Sequence, residues 1–177
     1  MKESKLGLAI VALLLLFLIT ISVMNIETEE SVLEEAMTIA EDTFNQTPKE
    51  SNKEVENFFL YIPDELEVDE RNKNNAVLVA DDGQSYILFI NDKENQRSTL
   101  NYATVRETGD SEWLQSFEDA DHFGYIYINP LDEDYEVQLG IGGVKLTTIS
   151  GKDSIVDDVK MMMTISKSVE YEEIQEG

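Results

Sequence analysis

Three carboxylates at two-residue spacing, Asp132, Asp134 and Glu136, are the first candidates for chemistry in this sequence. On a β-strand, residues two apart point to the same face of a sheet, so these side chains can converge. Hard cations such as Ca²⁺ prefer carboxylate oxygens, so the spacing predicts a cation site, although no EF-hand glycine stands at the required offset. The alternative is a solvated surface, which we favour, because the chain has 37 acidic residues and carboxylates also cluster at positions 81–82 and 157–158.

A second candidate is His122, the only histidine, with Asp119 and Asp121 close to it in the sequence. A serine, this histidine and one of these aspartates could form a hydrolytic triad. The chain has neither a G-x-S-x-G turn to expose a nucleophilic serine nor a recognisable oxyanion loop. It also has no cysteine, which excludes thiol nucleophiles, Cys-based metal sites and disulfides. We therefore predict no catalytic residues, no cofactor and no enzymatic activity.

Gly140, Gly142 and Gly143, followed by Lys145, have the composition of a phosphate-binding loop. Their spacing matches neither G-x-G-x-x-G nor G-x-x-x-x-G-K-[ST], since leucine stands at position 146. Glycines in this arrangement also allow a tight turn between two strands. We interpret the segment as a hairpin turn.

The chain is strongly acidic, and its charge is unevenly distributed. Lys2, Glu3 and Lys5 precede a long apolar run, which leaves 11 basic and 36 acidic residues after it and a formal charge of −25. Such a surface repels the phosphates of nucleic acid. We therefore predict no nucleic-acid partner. The patterned apolar runs between positions 58 and 171 nevertheless predict one folded domain of ordinary size.

Residues 6–24 form the uninterrupted apolar run LGLAIVALLLLFLITISVM. About 20 apolar residues of helix cross a hydrocarbon core of roughly 30 Å, so the run predicts a transmembrane helix with the lipid bilayer as partner. Lys2 and Lys5 precede it and Lys49 is the next basic residue, so the positive-inside bias places residues 1–5 in the cytoplasm and the main domain outside the cell membrane. The alternative is a cleaved secretory signal, but the run is longer than a signal core and no A-x-A site follows it.

Residues 25–57 are predicted to hold a juxtamembrane amphipathic helix and a linker. Ser31 and Glu34 match a capping box, which predicts a helix start at Ser31. Apolar residues then recur at three- and four-residue spacing, and the helix should end before Pro48. Its apolar face packs either against the chain's own domain, which we favour, or against a partner helix. The polar stretch 49–56 suits a linker.

From position 58 the apolar period changes from helical to extended. Strands are predicted at 58–62, 76–80, 86–90, 100–105, 123–128, 135–141 and 145–149. Asp82 and Gly83 predict a tight hairpin between the second and third of these strands. The third strand, YILFI, is apolar on both faces, which predicts a central strand covered on each side. Trp113, Leu114 and Phe117 have helical spacing and predict a short helix.

A last helix is predicted after a cap at Asp153 or Ser154, with Met162 and Met163 on its buried face against the sheet. Residues 172–177 form an acidic tail. Antiparallel hairpins with helices before and after them define an α+β fold class. We therefore predict an N-terminal transmembrane helix followed by an antiparallel sheet that is flanked by helices.

The order of FFLYIP, a DG hairpin, GVKLTT and a closing helix that leads into ISKSVEY resembles small membrane-anchored extracytoplasmic proteins of Gram-positive bacteria. The outline of residues 58–171 is also similar to the PsbP-like α/β/α sandwich. PsbP-like domains are generally non-catalytic accessory or assembly factors, so the resemblance implies a binding module. It rests on element order and transfers no functional residue.

Two classes of function are consistent with the sequence. The first is a non-catalytic interaction or accessory module on the outer face of a bacterial cell membrane, which binds another membrane or cell-envelope protein. The second is a cation- or small-ligand-sensing domain that uses Asp132, Asp134 and Glu136. A rise in melting temperature that is specific for Ca²⁺ and lost in Asp132→Asn/Asp134→Asn would favour the second class.

Overall fold

The computed structural model describes residues 11, 13–17, 28–56, 58–109 and 112–171, without the side chain of Tyr171. The chain divides into two compact units, residues 1–31 and residues 32–177. In the first unit, Val11 and residues 13–17 are helical, and their apolar side chains are more than half exposed. Most of the predicted span, together with both predicted tails, lies outside the described residues.

From position 28 onward, the described residues form three helices and ten strands. The helices are α1 (Glu29–Phe44), α2 (Leu100–Thr108) and α3 (Ile155–Ser168). The strands are β1 (Lys53–Val55), β2 (Phe58–Leu60), β3 (Leu66–Asn72), β4 (Asn75–Ala80), β5 (Ser85–Ile90), β6 (Leu114–Glu118), β7 (Phe123–Pro130), β8 (Asp134–Ile141), β9 (Val144–Gly151) and β10 (Glu170–Tyr171).

Seven strands form one large sheet in the order β3-β4-β5-β9-β8-β7-β6, and every neighbouring pair is antiparallel. A small second sheet has the order β1-β2-β10. The predicted α+β class with an antiparallel sheet is therefore confirmed. The edge strand β3 carries mostly charged residues and has an irregular register between Val68 and Glu70, two features that oppose pairing with a further strand.

The hydrophobic core lies between one face of the large sheet, here called the inner face, and helices α1 and α3. Alternate residues of β8 point to this face, and Val137 and Leu139 are fully buried. Met162 and Met163 of α3 are fully buried as well, as their helical spacing predicts. At the end of α1, the ring of Phe44 packs against the sheet beside Gly124. Burial of each large apolar side chain contributes roughly 1.5–3 kcal/mol, so this layer holds the domain together.

The N-terminal part of the domain differs from the sequence prediction. Helix α1 begins at Glu29, and the backbone N–H of Ser31 donates to the hydroxyl of Thr28 at 3.1 Å, so Thr28 and not Ser31 caps the helix. The apolar face of α1 packs into the core of its own domain, the alternative that we favoured. The polar stretch 49–56, predicted as a linker, contains strand β1, which pairs with β2.

Two predicted elements are wrong in type. Residues 100–105, predicted as a strand, belong to helix α2, which packs on the outer face of the sheet with its Tyr102 ring 6.2 Å from that of Tyr125. The predicted helix around Trp113 is strand β6, which pairs with β7 and buries Phe117. In both segments, packing against the sheet outweighs the weak local preference.

Candidate functional site

The three carboxylates predicted as cation ligands lie at the start of β8. Asp132 precedes the strand, whereas Asp134 and Glu136 lie on it. Asp132 and Asp134 are exposed, and the half-buried Glu136 accepts a 3.4 Å hydrogen bond from the side-chain amide of Asn129. Among the described residues, no three His, Asp or Glu side chains converge into a group that could hold a metal ion. The structure therefore does not bring these carboxylates together as a ligand set.

His122 lies in the turn between β6 and β7, where its Nδ1 is 3.0 Å from Oδ1 of Asp119. The same oxygen accepts the backbone N–H groups of Asp121 at 2.8 Å and of His122 at 2.7 Å. Partial burial alone would raise the pKa of Asp119, but these hydrogen bonds and the imidazole outweigh it and lower that pKa. Within the described residues, no hydroxyl group hydrogen-bonds to the His122 ring. The pair closes a turn, and the part of the chain that the structure describes places no serine hydroxyl in hydrogen-bonding contact with it.

Gly142 and Gly143 form the turn between β8 and β9, so the hairpin interpretation is confirmed. Gly142 has φ +54°, and a Cβ atom at this position would lie 2.3 Å from the backbone oxygen of Asn95. The backbone N–H of Asn91 also donates to the carbonyl of Gly143 at 3.0 Å. The glycines therefore allow the loop before α2 to pack directly on the hairpin.

A buried polar cluster between α3 and the sheet was missed in the sequence. Asp158 is 6% exposed, and its carboxylate accepts hydrogen bonds from Tyr86 Oη at 2.7 Å, from Gln84 Nε2 at 2.9 Å and from the hydroxyl of Ser150. The predicted solvated surface at 157–158 is thus wrong for Asp158. Burial, and then Asp158 itself, raise the pKa of Tyr86 far above its ordinary value, so the phenol stays protonated and donates.

The outer face of the sheet is open beside helix α2. A mostly apolar surface on β4, β5 and β9, here called the open patch, consists of Val77, Val79, Ile87, Phe89, Thr147 and Ile149. On the same face, the Lys145 ammonium lies 5.7 Å from the centre of the Phe89 ring. The strand register places Ile87 between Val77 and Thr147. Ile87 is 52% exposed and Ile149 is 49% exposed. The prediction that β5 is covered on each side is therefore wrong, because only its inner face is covered.

A groove of about 580 Å³ runs over part of the open patch, and it is lined by Gln84, Ser85, Ile87, Glu136, Thr147, Thr148 and Ile149. The side-chain amide of Gln84 lies 3.3 Å from the Thr148 hydroxyl and donates to the buried carboxylate of Asp158. Hydrogen bonds of the Gln84 side chain therefore hold the polar end of the groove in place and connect it to helix α3 on the inner face of the sheet.

Carboxylates lie on both sides of the open patch. On β3, Glu67 is paired with Val79 and Glu70 with Val77, and both glutamates are exposed. On β8, Glu136 is paired with Ile149. The side chains of residues that are paired in neighbouring strands point to the same face of the sheet. The three carboxylates therefore lie on the same side of the sheet as the apolar residues. This arrangement suits a partner that offers an apolar surface together with basic groups.

The sequence carried part of the signal for this surface. The alternation of β4 and β5 is apolar on both faces, which is unusual for an antiparallel strand with a solvated side. The prediction for β5 assigns its second apolar face to internal packing. Helix α2 covers only the part of the outer face near β7. This coverage depends on the strand order, which local sequence patterns do not reveal.

Among the described residues, no helix is both long enough and apolar enough to cross a membrane. The predicted transmembrane span falls mostly on residues outside that description, so it stays a prediction.

Comparison of the chain with protein-family models, with curated proteins and with solved structures gave no match. The resemblance to membrane-anchored extracytoplasmic proteins and to the PsbP-like fold therefore also stays a prediction.

Proposed function

We propose that this protein is a membrane-anchored extracytoplasmic interaction module without enzymatic activity, and that it binds a cell-envelope protein through the open patch. The observation that carries the proposal is the exposure of Ile87 and Ile149, which are diagonal neighbours on β5 and β9 and line the same groove. Contiguous apolar surface on a folded domain is typical of sites that bind a partner. Strands β4, β5 and β9, which carry the patch, pair without a register shift, so the patch is preformed.

The charge of the domain favours a basic partner over a second copy of the chain. A second copy would bring together two domains that each carry a strong negative charge, and it would place Glu67, Glu70 and Glu136 against their own counterparts or other acids. A segment with apolar residues flanked by lysine or arginine would fill the patch and pair with these carboxylates. We therefore assign the open patch to a basic, partly apolar segment of an envelope protein.

Location belongs to the same proposal. The apolar run 6–24, the lysines before it and the exposed apolar side chains of Val11 and residues 13–17 support a membrane anchor with the N-terminus in the cytoplasm. We expect a reporter that is active only in the cytoplasm to give no signal when it is fused after Gly177. A signal from that fusion would overturn the orientation, and release of a soluble shortened chain would overturn the anchor.

The arrangement of layers is proposed as an α/β/α sandwich, with α1 and α3 on the inner face and the shorter α2 on part of the outer face. Packing of Tyr102 on Tyr125 supports the outer layer. An experimental structure of the full chain that placed α2 away from β7 would overturn this arrangement.

The binding proposal is tested by chemical crosslinking in intact membranes, followed by identification of the captured proteins. Ile87→Glu adds a negative charge in the open patch, and Leu100→Glu is its matched control, since both side chains are 52% exposed. We expect a discrete envelope protein to be captured by the wild type and by Leu100→Glu but not by Ile87→Glu. Equal capture by both variants would contradict the proposal. Turnover of an envelope substrate by the purified chain would replace it with an enzymatic function.

A further inference from the structure

A small cavity with basic and hydroxyl-bearing walls lies at the end of helix α1, on the helix side of the sheet and away from the open patch. It measures about 70 Å³ and is lined by Thr43, Gln46, Thr47, Pro48, Lys49, Thr164 and Lys167. No acidic residue is in the lining, in a chain with 37 acidic and 13 basic residues. Two lysines that line one cavity without a carboxylate are therefore unusual for a chain this acidic.

Lys167 provides a buried positive charge at the base of the cavity. It is 8% exposed, and its Nζ donates to the backbone oxygen of Phe44 and lies 4.9 Å from the centre of the Phe44 ring. Within the described residues, no carboxylate lies within 4 Å of this ammonium group. An ammonium group has three donors, and the described residues supply one acceptor, so Lys167 can still bind further oxygen atoms.

Thr43 adds a polar group that lacks a protein partner. It is 3% exposed, and within the described part of the chain its buried hydroxyl has no hydrogen-bond partner. A buried hydroxyl without a partner is destabilising, so such groups are rare in folded proteins unless a ligand or water satisfies them. Thr43 and Lys167 both line the cavity, and the Thr43 hydroxyl is enclosed, so a ligand that satisfies both groups requires a small rotation of the Thr43 side chain.

The mouth of the cavity carries a second positive charge. Lys49 and Thr47 are exposed, and the Lys49 ammonium lies 4.7 Å from the centre of the Tyr61 ring. Lys49 also has no carboxylate within 4 Å among the described residues. Its position allows a ligand to enter from solvent.

Burial lowers the pKa of Lys167, and the charge of Asp119 partly opposes this shift. A bound anion would oppose the shift further.

We propose that this cavity binds one small oxyanion of the phosphate class, held by Lys167 and Thr43 at its base and by Lys49 at its mouth. Several donors around a small space match an anion with several acceptor oxygens. A cavity needs only about 10–15 Å³ to hold one water, so this one has room for a group larger than water. Asp119 does not compete for Lys167, because His122 and two backbone amides already engage its carboxylate. This inference goes beyond the interaction module proposed above.

The test is calorimetric titration of the full chain in detergent with inorganic phosphate, at constant ionic strength set with NaCl. A parallel titration with glycerophosphoglycerol distinguishes free phosphate from a phosphodiester of the kind found in lipid headgroups. We expect saturable binding of one equivalent of at least one of these two probes. Saturable binding of neither probe would overturn the proposal.

Two variants assign the binding to the cavity. Lys49→Gln should weaken it about tenfold, the loss typical of one charge-assisted contact, whereas Lys160→Gln on the exposed side of α3 should leave it unchanged. Thr43→Val should also weaken binding, yet it should leave the melting temperature without phosphate unchanged or raised, because it removes an unsatisfied hydroxyl. Equal binding by Lys49→Gln and Lys160→Gln, or a lower melting temperature of Thr43→Val without phosphate, would contradict the proposed site.

Discussion

At the residue scale, the buried side chain of Tyr125 predicts a pH dependence of the stability of the fold. It is 1% exposed, and its hydroxyl oxygen accepts a 2.9 Å hydrogen bond from Gln138. Burial raises its pKa well above the ordinary value of 10.0, and the Gln138 contact only partly opposes this. The phenol therefore stays neutral in the folded chain at a pH where the unfolded chain has already lost the proton.

The sign of the resulting pH dependence is fixed. Above about pH 10 the unfolded state binds fewer protons than the folded state, so the free energy of unfolding falls by roughly 1.4 kcal/mol per pH unit for each such tyrosine. Tyr86 acts in the same direction. We expect urea unfolding of the wild type to show this fall between pH 10 and 11, and Tyr125→Phe to make it less steep. An identical slope in the variant would show that Tyr125 ionises normally.

At the residue scale, the sequence predicts apolar positions better than polar ones. The burial of Met162 and Met163 could be predicted from their helical spacing alone. The same spacing places Asp158 on the buried face of α3, three residues after Ile155, yet a carboxylate there is expected to be solvated unless partners are known. Two of its three donors, Tyr86 and Gln84, lie more than seventy residues earlier in the chain, so no local pattern reveals them.

At the element scale, two hairpin turns with glycine in the left-handed region differ in what surrounds them. Gly83 has φ +91° with open space around it, whereas a Cβ at Gly142 meets the backbone of the loop before α2. We expect Gly83→Ala to cost about 1–2 kcal/mol of unfolding free energy from backbone strain, and Gly142→Ala to cost clearly more. Urea unfolding measures both. Equal losses would show that the loop does not pack on the β8–β9 turn.

Helix α1 is expected to be part of the folding unit. Phe44 is fully buried at its end, with its ring 5.1 Å from that of Phe117. Phe44→Ala should lower the free energy of unfolding by about 3–5 kcal/mol, the usual loss for a buried aromatic side chain. Thr38→Ala on the exposed side of the same helix is the control and should change stability by less than about 1 kcal/mol. A small loss in both variants would favour a helix reserved for a partner.

Local patterns predicted the elements whose stability depends on local contacts. The hairpin at Asp82 and Gly83 and the alternation of β8 were predicted because the turn residues and the period-2 pattern lie within a few residues. Strand β3 was missed because its charged residues suit an edge strand, and an edge position is defined by strand order. Helix α2 was missed because it is held on the sheet by Tyr125, which follows it in sequence and lies on another element.

At the scale of the whole molecule, charge and exposed apolar surface have complementary effects. The strong negative charge opposes self-association of the domain, and the open patch provides a small area where a partner can gain from apolar contact. Because Glu67, Glu70 and Glu136 flank this area, association with a basic partner should weaken as salt concentration rises. Binding driven by apolar contact alone would lack that dependence.

The most direct test of the interaction proposal places a photoreactive side chain at Ile149 and, as a control, at Leu131, in cells that carry the full chain. These side chains are 49% and 46% exposed, and Leu131 lies in the turn between β7 and β8, outside the open patch. We predict a discrete adduct with another envelope protein from position 149, weaker in membranes prepared at high salt, and no such adduct from position 131. The same adducts from both positions, or only adducts between copies of this chain, would contradict the proposal that the open patch binds a partner protein.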